Sequence, residues 1–259
     1  MSLRSAGPSV KLALVTGTTS GIGAAVARLL LERTWAVVGV ARRAAQIEHP
    51  QYQHLTLDLA DMATTVAMLE RDVAPLLADR QWQRAALVNN AASPGPLTSV
   101  EQIDPLALLP LYAVNVATPV WLMGFLLRTC PPEPAVRVVN VSSAAAVQAF
   151  PGLAAYSGTK AALRMAGMVL AAELDSPLRR QPAPADVAIL SYEPGLVDTP
   201  MQALARSQAP ESFPSAQMFR DFESGGLLVP PEAPAAEIVA FLEGDAQPRF
   251  SERRFGVSA

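Results

Sequence analysis

Short apolar runs alternate with longer segments of helical spacing along this chain. Strand-like runs occupy residues 12–15, 36–40, 55–57, 86–88, 136–141 and 187–190. Between them, apolar positions recur at helical intervals in residues 22–31, 62–77, 111–127 and 156–174. The strand-like runs are apolar at successive positions, which is typical of strands covered on both faces of a sheet. The alternation therefore predicts an α/β fold with a parallel sheet.

No linker interrupts this alternation, so residues 1–259 are expected to form a single Rossmann-type domain, a doubly wound parallel sheet flanked by helices on both faces. The segment 198–231 differs, because it is long, contains several prolines and carries scattered methionines and phenylalanines. Segments of this kind are usually functional or mobile. We expect a substrate lid with an apolar lining. The alternative is that these side chains pack on the domain core or on a partner.

Composition excludes several classes of function. The net charge of −3 provides no positive field for nucleic acid. One cysteine, Cys130, excludes an internal disulfide framework, and His49 and His54 are expected to be surface residues near a turn, with no metal site. No apolar run looks long enough to span a membrane, and the first ten residues do not resemble a signal peptide. We therefore expect a cytoplasmic protein that acts on a small molecule.

The turn between the first predicted strand and the first predicted helix is rich in glycine. Residues 16–23 read T-G-T-T-S-G-I-G. Glycines let the backbone approach a pyrophosphate closely, and a helix amino terminus supplies free N–H groups with a partial positive charge. The position predicts a dinucleotide site, and a plain glycine-rich turn is the alternative. The residues assigned to it are Gly17, Thr19, Ser20, Gly21, Ile22 and Gly23.

The end of the second predicted strand carries two arginines in place of an acid. An acidic residue there would hold the ribose 2′-hydroxyl of NAD, whereas this chain has Ala41 followed by Arg42 and Arg43. A guanidinium forms planar, two-bonded contacts with phosphate. The pair predicts NADP(H) in preference to NAD(H), and an exposed arginine pair without a ligand is the alternative.

Tyr156 and Lys160 stand four residues apart in a predicted helix and therefore share one of its faces. An ammonium beside a phenol favours the phenolate, which is otherwise a minor species because the pKa of free tyrosine is about 10. The spacing alone is common on helices, so the pair indicates catalysis only together with other motifs.

Together these motifs resemble the short-chain dehydrogenase/reductase family over nearly the whole chain. The resemblance extends to an acid after the third strand, an Asn-Asn-Ala-Ala run after the fourth, and the loop 194–199. It implies a catalytic tetrad of Asn115, Ser143, Tyr156 and Lys160. It also implies cofactor contacts from Asp58, Leu59, Asn90, Ala91, Tyr156, Lys160, Pro194, Gly195, Val197 and Thr199.

The resemblance implies an NADP(H)-dependent oxidoreductase that reduces a ketone, diketone or aldehyde by hydride transfer. Tyr156 is expected to donate the proton, Lys160 to lower its pKa, and Ser143 to hold the carbonyl oxygen, while the adjacent Ser142 is left a structural role. Pro119 has no N–H for the Asn115 carbonyl. We expect that carbonyl to hold a water that relays protons to Lys160, with an ordinary proline kink as the alternative.

Within the family, residues 192–202 resemble those of sepiapterin reductase and bacterial benzil reductases. Sepiapterin reductase anchors its pterin with an aspartate near the carboxyl terminus, but this chain has no aspartate after Asp245. Two other functions stay open, an acyl-thioester ketoreductase and a non-enzymatic NADP(H)-sensing regulator. The resemblance also implies a homodimer or homotetramer, in which helices 111–127 and 156–174 pair between subunits.

Overall fold

The protein is described by a computed structural model over residues 10–79 and 82–257. Within these residues seven strands form one fully parallel sheet in the order β3-β2-β1-β4-β5-β6-β7. The strands are β1 (Lys11–Thr16), β2 (Ala36–Ala41), β3 (Tyr52–Thr56), β4 (Arg84–Asn89), β5 (Ala135–Val141), β6 (Val187–Glu193) and β7 (Phe250–Arg254). The strand order reverses between β1 and β4, so their carboxyl ends flank a crevice of the kind that binds ligands in doubly wound folds.

Helices cover both faces of the sheet, which confirms the predicted fold class. They are α1 (Gly21–Glu32), α2 (Met62–Asp72), α3 (Ala74–Leu77), α4 (Pro105–Tyr112), α5 (Thr118–Thr129), α6 (Ala154–Asp175), α7 (Pro200–Ser207), α8 (Ala216–Ser224) and α9 (Glu232–Glu243). Helices α2, α3, α5 and α6 pack in one core cluster. Helices α1 and α9 pack in the other cluster, on the opposite face.

The six predicted strands are all present, but β7 was not predicted. Its sequence, F-S-E-R-R, has no apolar run, because it is an edge strand that pairs with β6 alone and keeps most of its residues partly exposed. The sequence predicts both histidines at the surface near a turn, and both keep part of their surface exposed. His54 lies within β3 and hydrogen-bonds two other residues, whereas His49 does lie in a turn.

The long helix predicted at 111–127 begins earlier and contains a defect. Helices α4 and α5 are continuous through a π-helical turn at Ala113–Ala117, where the Thr118 N–H donates to the Ala113 carbonyl five residues earlier. Contrary to the prediction, the combined helix Pro105–Thr129 is long and apolar enough to cross a membrane, with a mean hydropathy of 1.6 in its most apolar window. Residues such as Leu122 and Phe125 nevertheless pack in the core against the sheet.

The expected lid at 198–231 contains two helices, α7 and α8. Thr199 caps α7, because its hydroxyl accepts a hydrogen bond from the Gln202 N–H at 3.4 Å. Phe213, between the two helices, is fully buried in a small apolar cluster with Ala205 of α7, Ala216 of α8 and Leu153 at the start of α6, and Phe219 packs beside it. Some lid side chains thus pack on the rest of the domain, as the alternative predicted, while Met201 and Leu204 line the cleft described next.

Candidate active site

A cleft of about 1010 Å³ opens at the carboxyl ends of β1, β2, β4 and β5. Its lining includes most of the residues that the sequence assigned to a cofactor. These are Gly17, Thr19, Ser20, Gly21, Ile22, Arg42, Arg43, Asp58, Leu59, Asn90, Ala91, Tyr156, Lys160 and Thr199. Four predicted contacts, Gly23, Pro194, Gly195 and Val197, lie outside this lining. Val197 is 4% exposed and packs in the core beside α9, so its side chain points away from the cleft.

The glycine-rich turn forms a closely fitted cradle at the start of α1. Gly17 has φ +78°, and a Cβ there would lie 2.7 Å from the amide nitrogen of Asn90. A Cβ on Gly23 would collide with the same amide and with the Gly17 carbonyl. Ser20 is the N-cap residue of α1, but its side chain makes no capping hydrogen bond. The first turn of the helix thus offers N–H groups to an anion, and the cradle fits a dinucleotide pyrophosphate.

Thr16 and Asn90 join the ends of β1 and β4 beneath this cradle. The Thr16 hydroxyl donates to the Val88 carbonyl at 3.3 Å and accepts from the N–H groups of Asn90 and Ala91, both at 3.0 Å. The Asn90 amide donates back to the Thr16 carbonyl at 2.9 Å. Thr16 was not among the predicted site residues. Its position directly before the first glycine was the only signal available in the sequence.

The far end of the cleft carries the charges that the sequence placed near the adenosine ribose. Arg42 and Arg43 are exposed and line the cleft, and Ala41 is buried at the end of β2. Asp58 also lines the cleft, where its carboxylate accepts from the Ala60 N–H at 3.0 Å. Within the described residues, neither guanidinium hydrogen-bonds another side chain, so both are available to an anionic ligand.

Tyr156 lies on the first turn of α6. Ser143 follows β5 and caps a short turn, with its hydroxyl oxygen accepting from the Ala145 N–H at 3.2 Å. Burial raises the pKa of Tyr156 to about 12, although the neighbouring Ser143 side chain acts in the opposite direction. The phenol is therefore protonated at neutral pH.

Lys160 lies one turn further along α6, with only 3% of its surface exposed. Its ammonium donates to the Val141 carbonyl at 2.8 Å and sits 5.6 Å from the centroid of the Tyr156 ring. Burial lowers the pKa of Lys160 to about 8. The net pKa of Tyr156 is raised because desolvation of the phenol dominates, and the lowering of this pKa by the Lys160 ammonium stays a prediction.

Asn115 is buried in the π-helical turn and does not line the cleft. Its side-chain oxygen accepts from the Ser93 N–H and its amide donates to the Ser93 carbonyl, both at 2.8 Å. The amide also donates to the Thr159 hydroxyl at 3.1 Å, and that hydroxyl donates to the Tyr156 carbonyl at 2.7 Å. The Asn115 side chain therefore ties the loop after β4 to the helix that carries Tyr156. The proposed water on its main-chain carbonyl stays a prediction.

The wall opposite the arginines is built mainly from side chains without charge. It comprises Ser93, Pro94, Gly95, Pro96, Ala107, Pro110, Leu111, Val114, Met201 and Leu204. Most of these belong to the loop after β4 and to α4, which sequence reasoning did not assign to the site. Ser142 lines the cleft as well, whereas Ser143 lies outside this lining and is the serine that acts on the pKa of Tyr156. The cleft thus has one charged, phosphate-compatible half and one apolar half, with Tyr156 and Lys160 between them.

Comparison with known proteins agrees with this geometry. The sequence matches the family model for short chain dehydrogenase over residues 11–210. A benzil reductase ((S)-benzoin forming) of Bacillus subtilis is 27% identical over 235 residues, covering 90% of this chain and 94% of the relative. A sepiapterin reductase of Xenopus tropicalis is 31% identical over 255 residues, covering 91% and 92%.

A solved structure extends the agreement to the fold. The structure of a short-chain dehydrogenase/reductase from Saccharomyces cerevisiae matches with a TM-score of 0.75 at 27% identity and covers 95% of this chain and 96% of that chain. The relatives match over nearly their whole length. This chain is therefore an oxidoreductase and belongs to the short-chain dehydrogenase family.

Proposed function

We propose that this protein is an NADPH-dependent reductase of apolar, aromatic ketones or diketones, with Tyr156 as the proton donor. The observation that carries the proposal is the half-buried Tyr156 in the cleft lining, whose phenol has Ser143 as a neighbour and stands between the charged and the apolar halves of the cleft. A phenol with a raised pKa stays protonated at neutral pH, as a general acid must be before the reaction. This state suits reduction of a carbonyl better than oxidation of an alcohol.

Reduction of a carbonyl needs a hydride, a proton and a group that holds the developing oxyanion. When bound, the nicotinamide of the cofactor supplies the hydride. Ser143 donates a hydrogen bond to the carbonyl oxygen, where negative charge accumulates in the transition state. Tyr156 transfers its phenolic proton to the same oxygen and becomes a phenolate. The nearby ammonium of Lys160 then stabilises that phenolate, so the lysine acts on the charged product of the step.

The choice of NADPH rests on the cations at the end of β2. Arg42 and Arg43 line the cleft, and Ala41 stands where an acid would be needed to hold a ribose hydroxyl. An acid would also repel a 2′-phosphate. The guanidinium groups offer planar donors to that phosphate instead.

The choice of substrate rests on the apolar half of the cleft. Its wall carries prolines and aliphatic side chains from the loop after β4, α4 and α7. The two relatives named above suggest aromatic diketones and pterins as starting points. No aspartate follows Asp245 that could anchor a pterin. Two of the charged residues there form ion pairs instead, Glu252 with Arg164 and Arg249 with Asp175. We therefore favour an aromatic diketone over a pterin.

Two helices offer a surface for self-association. Val120 on α5 and Met165 and Val169 on α6 are 41%, 52% and 48% exposed, although each is apolar. Exposed apolar side chains on adjacent helices favour pairing with a second copy. We propose a homodimer or homotetramer through α5 and α6, which sedimentation analysis would test.

The decisive experiment is NADPH oxidation with a panel of carbonyl compounds. The panel contains benzil, a phenyl-substituted aliphatic diketone, a quinone, an aldehyde, sepiapterin and an acetoacetyl thioester. We expect the aromatic diketones to be turned over fastest. Faster turnover of the thioester would favour a ketoreductase of acyl thioesters, and tight NADPH binding without any turnover would favour a regulator.

A further inference from the structure

A chain of polar side chains crosses the sheet from β1 to the arginine loop and takes no part in the proposed chemistry. The Thr18 hydroxyl hydrogen-bonds the Tyr52 hydroxyl at 2.9 Å. The Tyr52 hydroxyl hydrogen-bonds Nδ1 of His54, also at 2.9 Å. Nε2 of His54 lies 2.9 Å from the main-chain carbonyl oxygen of Arg43. The chain thus runs from the glycine-rich turn to the backbone of a residue proposed to recognise the 2′-phosphate.

The last acceptor fixes the direction of every hydrogen bond in this chain. A carbonyl oxygen only accepts, so Nε2 of His54 carries the hydrogen. In the neutral imidazole, Nδ1 is then an acceptor, and the Tyr52 hydroxyl must donate to it. The Tyr52 oxygen in turn accepts from the Thr18 hydroxyl. Burial raises the pKa of Tyr52, which keeps its phenol protonated and able to donate.

The strand between these residues leaves room for the chain. Gly39 of β2 lies opposite His54 in the register of the sheet. A Cβ on Gly39 would collide with the Tyr52 hydroxyl and would lie 2.7 Å from the Thr18 hydroxyl oxygen. The polar chain therefore occupies the space that any other residue at position 39 would fill.

We propose that His54 is a positioning residue for NADPH selectivity, which it exerts by holding the Arg43 carbonyl and thereby the backbone of the arginine loop. The inference rests on the proposed NADPH dependence. After Ala41 the chain leaves the sheet, and residues 44–49 form neither helix nor strand. The hydrogen bond from His54 restrains this backbone next to both guanidinium groups. Tyr52 fixes the imidazole orientation and links it to Thr18 in the glycine-rich turn.

Two amide substitutions separate the two hydrogen bonds of His54. In His54→Gln, the longer side chain can place its NH₂ group near the position of Nε2 and retain the bond to Arg43. In His54→Asn, the shorter side chain can place its oxygen near the position of Nδ1 and retain the bond to Tyr52, but it does not reach Arg43. The pair differs by one methylene, and each variant retains one polar contact.

The experiment measures binding of adenosine 2′,5′-bisphosphate and of 5′-AMP by calorimetry to wild type and both variants. These probes contain no nicotinamide, so carbonyl reduction does not enter the measurement. We expect His54→Asn to weaken the bisphosphate about fivefold, the equivalent of one hydrogen bond of about 1 kcal/mol, and to leave 5′-AMP unchanged. His54→Gln should stay near wild type for both probes. With NADPH and a ketone, His54→Asn should raise KM for NADPH without changing kcat.

Three results would overturn the inference in distinguishable ways. If wild type binds the bisphosphate no better than 5′-AMP, the NADPH preference fails and the role of His54 falls with it. If wild type discriminates but His54→Asn weakens both probes equally, His54 only supports the fold. If wild type prefers the bisphosphate to 5′-AMP and His54→Asn shows the same preference, His54 does not position the arginine loop. In the last two cases the proposed function stands.

Discussion

Lys160 and Arg137 are both buried cations at strand β5: Lys160 bonds the last residue of the strand, and Arg137 belongs to the strand near its amino end. Arg137 is fully buried and forms two hydrogen bonds to the Asp186 carboxylate, at 2.8 and 2.9 Å. It also donates to the carbonyls of Val136 at 3.0 Å and Gly244 at 3.1 Å. Within the described residues Lys160 pairs with no carboxylate, and its ammonium donates to the Val141 carbonyl.

The two environments differ in how the charge is compensated. A buried charge is costly unless an opposite charge and hydrogen bonds replace the lost water. Arg137 has both, and its guanidinium lowers the pKa of the Asp186 carboxyl. Lys160 has one carbonyl, so burial lowers its own pKa to about 8. Arg137, which stabilises the fold, is paired with a carboxylate of the protein. The charge of Lys160, in the cleft, is not balanced by a carboxylate among the described residues and stays available to a ligand or a reaction intermediate.

The largest expected effect is the loss of turnover in Lys160→Met. Without the ammonium, the phenolate that Tyr156 forms on donating its proton is no longer stabilised. We expect kcat to fall by about 10²- to 10⁴-fold, the range usual for a group in proton transfer. The free energy of unfolding should not decrease, because methionine removes a buried and uncompensated charge. Steady-state kinetics and urea unfolding of the same preparation give both quantities.

Tyr156→Phe is the matched control for that variant. It removes the proton donor and retains Lys160, so turnover should be lost while NADPH binding stays close to wild type. A Tyr156→Phe protein with full activity would contradict the role of the phenol. A Lys160→Met protein with normal kcat would contradict the role of Lys160 in turnover, and Lys160 and Arg137 would then not differ in function.

Arg137→Met should produce the opposite result, with lower stability and nearly normal kcat. The variant leaves the carbonyls of Val136 and Gly244 without their charged donor. The Asp186 side chain is 51% exposed and can be hydrated, so the loss should be smaller than for a fully buried pair. We expect the free energy of unfolding to fall by about 2–3 kcal/mol, measured by urea unfolding. Unchanged stability would mean that this ion pair does not stabilise the fold.

The sequence predicted the sheet and the site residues better than it predicted their energetics. Buried parallel strands are apolar at every position, so β1 to β6 were visible, whereas the edge strand β7 consists mostly of polar residues. The spacing of Tyr156 and Lys160 placed both on one face of α6. It could not reveal that the ammonium lies against the ring, since this depends on the carbonyl of Val141, the last residue of β5.

The same limit applies to the less visible parts of the site. The apolar wall comes from the loop 93–96 and α4, which carry no recognisable motif. His54 was interpreted as a surface residue because a lone histidine carries little information in a sequence. Its partners, Tyr52 and the Arg43 carbonyl, become neighbours only when β2 and β3 pair. Long-range contacts between side chain and backbone have no local sequence pattern.

The pH dependence of stability provides a test of Lys160 that needs no substrate. Its pKa is about 8 in the folded protein, below the ordinary value of 10.5, so above pH 8 the unfolded chain binds more protons at this site. Stability contributed by this site should therefore rise between pH 8 and pH 10. We expect wild type to gain about 2 kcal/mol relative to Lys160→Met over this interval.

The comparison between the two variants is needed because other groups titrate in alkali. Burial also raises the pKa of Cys130 to about 12, but that effect is common to both proteins and cancels in the difference. The chain has one other lysine, Lys11, which is likewise present in both. A difference that stays constant from pH 8 to pH 10 would contradict the lowered pKa of Lys160.

The smallest expected effect concerns Arg42, an exposed cation whose charge would be balanced by the 2′-phosphate of the ligand. In Arg42→Ala, affinity for NADPH should fall about tenfold, because one charged hydrogen-bonding group to the 2′-phosphate is lost in an exposed setting. Affinity for NADH should stay the same, since that cofactor has no 2′-phosphate. Fluorescence titration with both cofactors measures the ratio. Arg179→Ala, which removes a partly exposed arginine outside the cleft lining, is the control and should leave both affinities unchanged. Equal weakening of NADPH and NADH by Arg42→Ala would mean that Arg42 contacts a part common to the two cofactors. Recognition of the 2′-phosphate would then fall to Arg43.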